Sequence, residues 1–353
     1  MNRSKFFPDG VQIWLWVGLV MIFIQILLGG ITRLTGSGLS ITKWEIVTGI
    51  WFPLDETAWN REFDLYKNTP QFQKINADFS LHEFKFIYFW EYFHRLWARL
   101  MGFVFVIPYI FFWVQKKLDK GLKKELILLV LLASSVAALG WIMVASGLIH
   151  RPWVNAYKLS FHLSLAVITL AFLAKIIFSR IKEIEISWVS RKEYRLFGFI
   201  FSLCFIQIFF GGIMAGMKAA IVAPTWPMIN THWVPPEVFQ WSLYPEYVFN
   251  EYEQSHVGPV IIQFWHRLLA YLLFCLILIS VLPWLKQNRR ELRPWGIFLL
   301  GIILSQLCLG ILTLWNSVGA IPIWYAVSHQ WVGIFLWIVV LFLYKFKLKP
   351  VKN

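Results

Sequence analysis

Phe89-Trp90-Glu91-Tyr92-Phe93-His94-Arg95-Leu96 comes back later in the chain, altered, as Gln263-Phe264-Trp265-His266-Arg267-Leu268. Each copy sets a His-Arg pair at the head of a long apolar run. Two more histidines, His162 and His329, stand near the start of apolar runs that follow each copy by one intervening hydrophobic segment. Histidine is costly inside a bilayer and is kept there for a purpose, so matched pairs on neighbouring helices point to axial ligation of haem iron.

Composition sets the environment. The chain has 353 residues, 58% of them hydrophobic and only 15% charged, with mean hydropathy +0.61. A soluble domain carries about 25% charge, so this is an integral membrane protein. The net charge of +14 does not indicate nucleic acid, because the basic residues are gathered in short loops between apolar segments. Membrane lipid is the expected partner of those loops. Cys204, Cys275 and Cys308 all lie inside apolar runs and are expected to be buried as small hydrophobes. Met1 to Gly10 is too short for a cleavable signal followed by a separate span and lacks transit-peptide character, which favours a bacterial inner membrane.

At about 20 apolar residues per span, hydropathy predicts eight: 12–31, 87–114, 126–146, 159–178, 196–216, 260–284, 295–315 and 324–344. Alternate loops and the tails carry 20 Arg and Lys, the other loops nine, which places both termini in the cytoplasm. The long connections 32–86 and 217–259 then face outward. Their Trp44, Trp51, Trp59, Trp226, Trp233 and Trp241 are candidate interface anchors, and the loops are either caps over haem pockets or mere connections.

Overlaying the halves extends the repeat. Gln25 to Ile31 matches Gln207 to Ile213, including Gly29-Gly30 and Gly211-Gly212. Leu139-Gly140 matches Leu309-Gly310, and His162 matches His329. The predicted architecture is all-α, with eight transmembrane helices as two repeated four-helix bundles. Their expected extents are residues 1–186 and 187–353. All four histidines belong to helices that run inward, so the haem sites are expected toward the outer, periplasmic side, with each pair facing across one bundle core.

The two copies differ at one telling position. Glu91 precedes His94 by three residues, on the same helix face. Gln263 stands there in the second copy, so only the first has a group able to take protons or hold an electrostatic load; the structural alternative is a carboxylate favoured near a helix start. Arg95, Arg99 and Arg267 are candidates for pairing with haem propionates or with loop carboxylates. Gln25 and Gln207 most simply join closely packed helices. His82, His150, His232 and His256 have no partner in the repeat and read as solvated loop residues.

Gly29-Gly30-Ile31-Thr32-Arg33-Leu34-Thr35-Gly36-Ser37-Gly38-Leu39-Ser40, followed by Trp44, resembles the first outer loop of heme A synthases. Glu83-Phe84-Lys85, Glu91-Tyr92-Phe93-His94-Arg95, Thr225-Trp226-Pro227-Met228, Gln263 to Arg267 and His329-Gln330 are similar to the same family over nearly the whole chain. The resemblance implies oxidation of a methyl group of heme O to a formyl group, giving heme A for terminal oxidases. By the same resemblance His94 and His162 flank the substrate in the N-terminal bundle, His266 and His329 hold heme b as cofactor in the C-terminal bundle, and Glu91 is the essential carboxylate. Heme O synthase and cytochrome oxidase assembly factors are the implied partners, with homo-oligomer formation open. A branch of the family carries a cysteine pair in the first outer loop; with no cysteine before Cys204, this chain resembles the cysteine-free branch.

The main rival is a diheme electron carrier with no chemistry on the haem. It explains four histidines but not an acid in one copy only. A haem handler of the cytochrome c assembly type would show Trp-Trp-Asp in an outer segment, and a prenyltransferase would show paired Asp motifs. The chain has neither, its five aspartates being dispersed.

Overall fold

The computed structural model describes residues 9–43, 51–148, 152–180, 190–286 and 291–344. Among these, eight helices are long and apolar enough to cross a membrane: α1 (Asp9–Leu34), α4 (Leu81–Val114), α5 (Lys120–Gly147), α6 (Ala156–Phe178), α7 (Arg191–Gly216), α11 (Val257–Val281), α12 (Arg293–Trp315) and α13 (Ile323–Phe342). Short helices fill the long connections: α2 (Glu56–Lys67) and α3 (Pro70–Lys74) after α1, then α8 (Ala219–Val222), α9 (Glu237–Gln240) and α10 (Pro245–Phe249) after α7. The chain divides into two compact units, residues 7–176 and residues 177 onward.

Helix starts follow local chemistry. Asp55, Thr69 and Asp119 accept from the first-turn N–H groups of α2, α3 and α5. Ser80 with Glu83, and Ser190 with Glu193, form reciprocal capping boxes that open α4 and α7. Because of its box, α4 begins at Leu81, six residues before the apolar run. His94 therefore lies more than three turns into its helix rather than at its head.

Inside α4, Pro108 has no N–H to give the carbonyl of Val104, four residues earlier. Trp14 on α1 takes its place, donating its indole N–H to Val104 O at 2.9 Å. Trp97 of α4 returns a bond to Met21 O at 3.0 Å, so the two helices are joined at two depths. In the same unit α1 meets α6 through Gly18 and Leu173, and α5 meets α6 at Gly140 and His162. In the other unit α7 packs on α11 and α13, and α12 packs on the same two. That closes a four-helix ring in which α11 and α13 face each other diagonally, and Trp337 ties α13 to α7 through Phe201 O.

The connection between α1 and α4 is a packed element in its own right. Trp59, Phe63 and Tyr66 of α2 are buried against Phe84, Ile87 and Tyr88 on the first turns of α4. Trp59 is thus a core residue, not an interface anchor: its ring meets Phe52 and Tyr88 edge-on at 5.0 and 5.2 Å. Trp51, Trp233 and Trp241 are exposed, Trp226 donates to Tyr271 Oη, and Trp44 lies outside the described residues. Asn76 donates to Tyr66 Oη at 2.8 Å, Tyr66 donates to Gln71 Oε1, and Gln71 reaches Gly36 O at 2.8 Å. Burial pushes the Tyr66 hydroxyl up to about 12, so it stays a donor.

The cysteine expectation fails for two of three. Cys204 is buried, whereas Cys275 and Cys308 are exposed on helix surfaces. In a bilayer the outer face of a helix is as apolar as its core. An apolar run alone cannot distinguish them.

Candidate functional site

Each of the four repeat-related histidines lies against a glycine on a neighbouring helix. A Cβ added to Gly29 would sit 3.2 Å from His94 Cε1, and one on Gly211 would sit 3.3 Å from His266 Cε1. For the second pair the figures are 3.0 Å from Gly140 to His162 and 2.9 Å from Gly310 to His329. Any larger residue would push the ring away, so glycine here serves close approach of a side chain to a helix backbone. One turn before three of these glycines stands a carbonyl facing the ring. Gln306 O is 3.0 Å from His329 Nδ1, while Val136 O and Gln207 O face His162 and His266 short of hydrogen-bond geometry.

The other ring nitrogen meets an amide in three cases. Gln25 Nε2 lies 3.3 Å from His94 Nε2 and donates to His94 O at 3.2 Å. Gln207 repeats this on His266 at 3.2 and 3.0 Å. Gln306 Nε2 approaches His329 Nε2 at 3.5 Å. Gln25 and Gln207 do join helices, and the residues they join to are the candidate ligands.

These pairs suit a haem better than a bare ion. Among the described residues no group of three or more His, Cys, Asp or Glu could hold a metal. A porphyrin supplies its own equatorial nitrogens and needs only axial partners. The His266 and His329 rings have centroids 6.3 Å apart. With metal–nitrogen bonds of about 2 Å on each side, that spacing accommodates one iron between them. The Nδ1 atoms of His94, His162 and His266 are buried without a hydrogen bond, as are the Oε1 atoms of Gln25, Gln207 and Gln306.

Glu91 and Arg95 clamp the loop that follows α1. The carboxylate is buried, 2% exposed. Its Oε2 accepts from Ser40 N at 2.7 Å, Ser40 Oγ at 2.7 Å and Ile41 N at 2.8 Å, and its Oε1 takes the Arg95 guanidinium. Arg95 then donates to Ile41 O and Lys43 O, both at 3.1 Å. The second copy clamps the loop after α7 with reversed polarity. Gln263 donates to Ala219 O and Ala223 O, and Arg267 donates to the carbonyls of Ala223, Thr225 and Met228. An acid requires N–H and O–H donors from its loop, and an amide can serve carbonyls. Arg95 thus pairs with a carboxylate of its own helix and Arg267 with loop backbone. Arg99, one turn beyond Arg95, is half-buried.

The family model of COX15-CtaA, described as cytochrome oxidase assembly protein, matches residues 12–341. The chain belongs to the COX15-CtaA family. It is 38% identical over 324 residues to a heme A synthase of Mesorhizobium japonicum, covering 91% of this chain and 85% of that one. It is 37% identical over 329 residues to a heme A synthase of Flavobacterium psychrophilum, covering 91% and 93%. A heme A synthase of Wolbachia pipientis wMel is 37% identical over 334 residues, covering 93% and 91%. Membership of the COX15-CtaA family extends over all eight long helices, the eighth to within one residue of its end.

Of the other histidines in this COX15-CtaA member, His256 contacts Glu237 at 3.1 Å, His232 lies beside Thr231, His82 is in the first turn of α4, and His150 lies outside the described residues. Sequence reading did not foresee Ser40 and Gln306 as site residues. Gln306 lies four residues before Gly310, the spacing that separates Gln25 from Gly29 and Gln207 from Gly211, and that spacing was the available signal.

Proposed function

We propose that the chain is a heme A synthase, converting a methyl group of heme O to a formyl group in the unit that carries His94 and His162. The observation that carries this reading is the unequal clamp: four histidines each seated against a glycine, with a carboxylate beside one pair and an amide beside the other. The names of the relatives point the same way. His94 and His162 bind the substrate through its iron, and Glu91 lies one turn from His94. In each of two oxidation steps a C–H bond of the substituent is exchanged for a C–O bond to the oxygen of a water, with two protons released and two electrons passed one at a time to an acceptor outside the chain, giving first the alcohol and then a hydrated aldehyde that loses water. Glu91, already the acceptor of four donors, offsets positive charge developing on the substrate and receives a proton once its loop bonds open. Arg95 keeps that carboxylate aimed.

His266 and His329 fit heme b, which when bound supplies a one-electron acceptor. Gln207 and Gly211 orient His266, Gln306 and Gly310 orient His329, and the Gln263–Arg267 clamp closes the loop over that end. Bacterial inner membrane, cytoplasmic termini and haem sites toward the periplasm complete the proposal, supported by the charge bias of the loops. Heme O synthase and oxidase assembly factors are the proposed partners.

The test is chromatography of haems from membranes of a host that makes heme O and no heme A, with and without the chain. A new formyl or hydroxylated haem is expected. Extra heme B alone, with reduction of the purified protein by a quinol, would favour the diheme carrier, whose support is the near-identical seating of the two first histidines.

A further inference from the structure

The four histidines are not held equally. His94, His266 and His329 each have a glutamine amide at Nε2. His162 has none, because the position matching Gln306 is Val136. The difference is matched on the facing helix. Gly333, one turn after His329, makes room for the amide: a Cβ there would lie 2.8 Å from Gln306 Nε2. The residue one turn after His162 is Ala166, so the space and the amide are lost together. His329 is therefore held at both ring nitrogens, by Gln306 O at 3.0 Å and by the Gln306 amide. His162 Nδ1 faces Val136 O short of hydrogen-bond geometry, as His266 Nδ1 faces Gln207 O, and it is the missing amide at Nε2 that sets His162 apart from the other three.

Resting on the proposed function, we infer that Gln306 with Gly333 makes the C-terminal haem resident, and that Val136 with Ala166 makes the N-terminal haem exchangeable. The Nδ1 bond to Gln306 O fixes the tautomer that leaves the Nε2 lone pair for iron. The amide contact at 3.5 Å is long enough to yield to a metal bond at small cost. A ligand already aimed binds without the entropy of ordering its ring, whereas His162 must be ordered by each haem that arrives. A substrate site must release its product, so one loosely aimed ligand is what turnover needs. Gln306 is a positioning residue acting through His329.

The experiment follows haem transfer from the purified full chain, loaded with heme B, to excess apomyoglobin. Heme B serves as probe because retention then needs no turnover, and failure here is separable from absence of a formyl product. Wild type should lose haem in two phases, the fast one missing in His162→Ala. Val136→Gln with Ala166→Gly should slow the fast phase roughly tenfold, and Gln306→Val with Gly333→Ala should speed the slow phase by about the same factor. The low-spin electron paramagnetic resonance signal of the slow pool should shift in the second variant only. A single phase in wild type, or either double variant leaving its own phase unchanged, overturns the inference. If the Gln306 variant fails to fold, the Val136 variant decides alone.

Discussion

Glu91 Oε2 takes both the backbone N–H and the hydroxyl of Ser40, each at 2.7 Å. The acid that distinguishes the two repeats is thus also the anchor of the loop that follows α1. Replacing Ser40 with Ala removes one of three donors to Oε2. At about 1.5–3 kcal/mol for a bond to a charged group, amide exchange at Ile41 should accelerate roughly tenfold or more, with product formation reduced. Unchanged exchange would show that the loop is held elsewhere.

Glu91→Gln presents an amide N–H to a site built of donors. Two N–H groups then face each other, and the loop should open in a way Ser40→Ala does not match. Protease cleavage within residues 36–43 should rise and formyl haem should vanish, while heme b stays bound. Retained conversion would remove Glu91 from the reaction.

Gly140 and Gly310 predict separable losses. A Cβ at 2.9–3.0 Å from an imidazole carbon displaces the ring. Gly310→Ala should remove heme b from the C-terminal site and leave the N-terminal site able to bind, and Gly140→Ala should do the reverse. Pyridine haemochrome assay of each purified variant measures this as about one haem lost per chain.

Tyr66 gives α2 and α3 an alkaline limit. Its pKa is raised on folding to about 12 against about 10 unfolded. The stability this burial contributes is fully present below the unfolded value and is lost as the pH rises through the folded one. Tyr66→Phe deletes the titrating group, so the fall of Tm at high pH should flatten, with a lower Tm near neutrality from the lost bonds to Gln71 and Asn76.

The four candidate histidines were legible because each sits in an apolar run, where a polar residue stands out, and because the repeat marks it twice. Gly140 and Gly310 were visible as repeat marks, but their role as ring seats depends on a neighbouring helix. Ser40 could not be read as a Glu91 partner: it lies 51 residues away, and the contact exists only because the loop folds back. The start of α4 was in reach, since Ser80 and Glu83 spell a capping box, yet hydropathy hid it behind His82, Glu83 and Lys85. Trp59 was out of reach because a tryptophan in a connecting segment looks the same whether it meets lipid or the Phe84–Tyr88 cluster.

The central claim is that one pair of histidines carries a substrate and the other a cofactor. Mass-resolved chromatography of the haems bound to the purified chain, expressed in a host that makes heme O, tests it directly. We expect heme b together with heme O, its hydroxylated form or heme A on the same protein, and loss of only the heme b in His329→Ala. Two equivalents of heme b per chain, with no modified haem in any fraction, would contradict it.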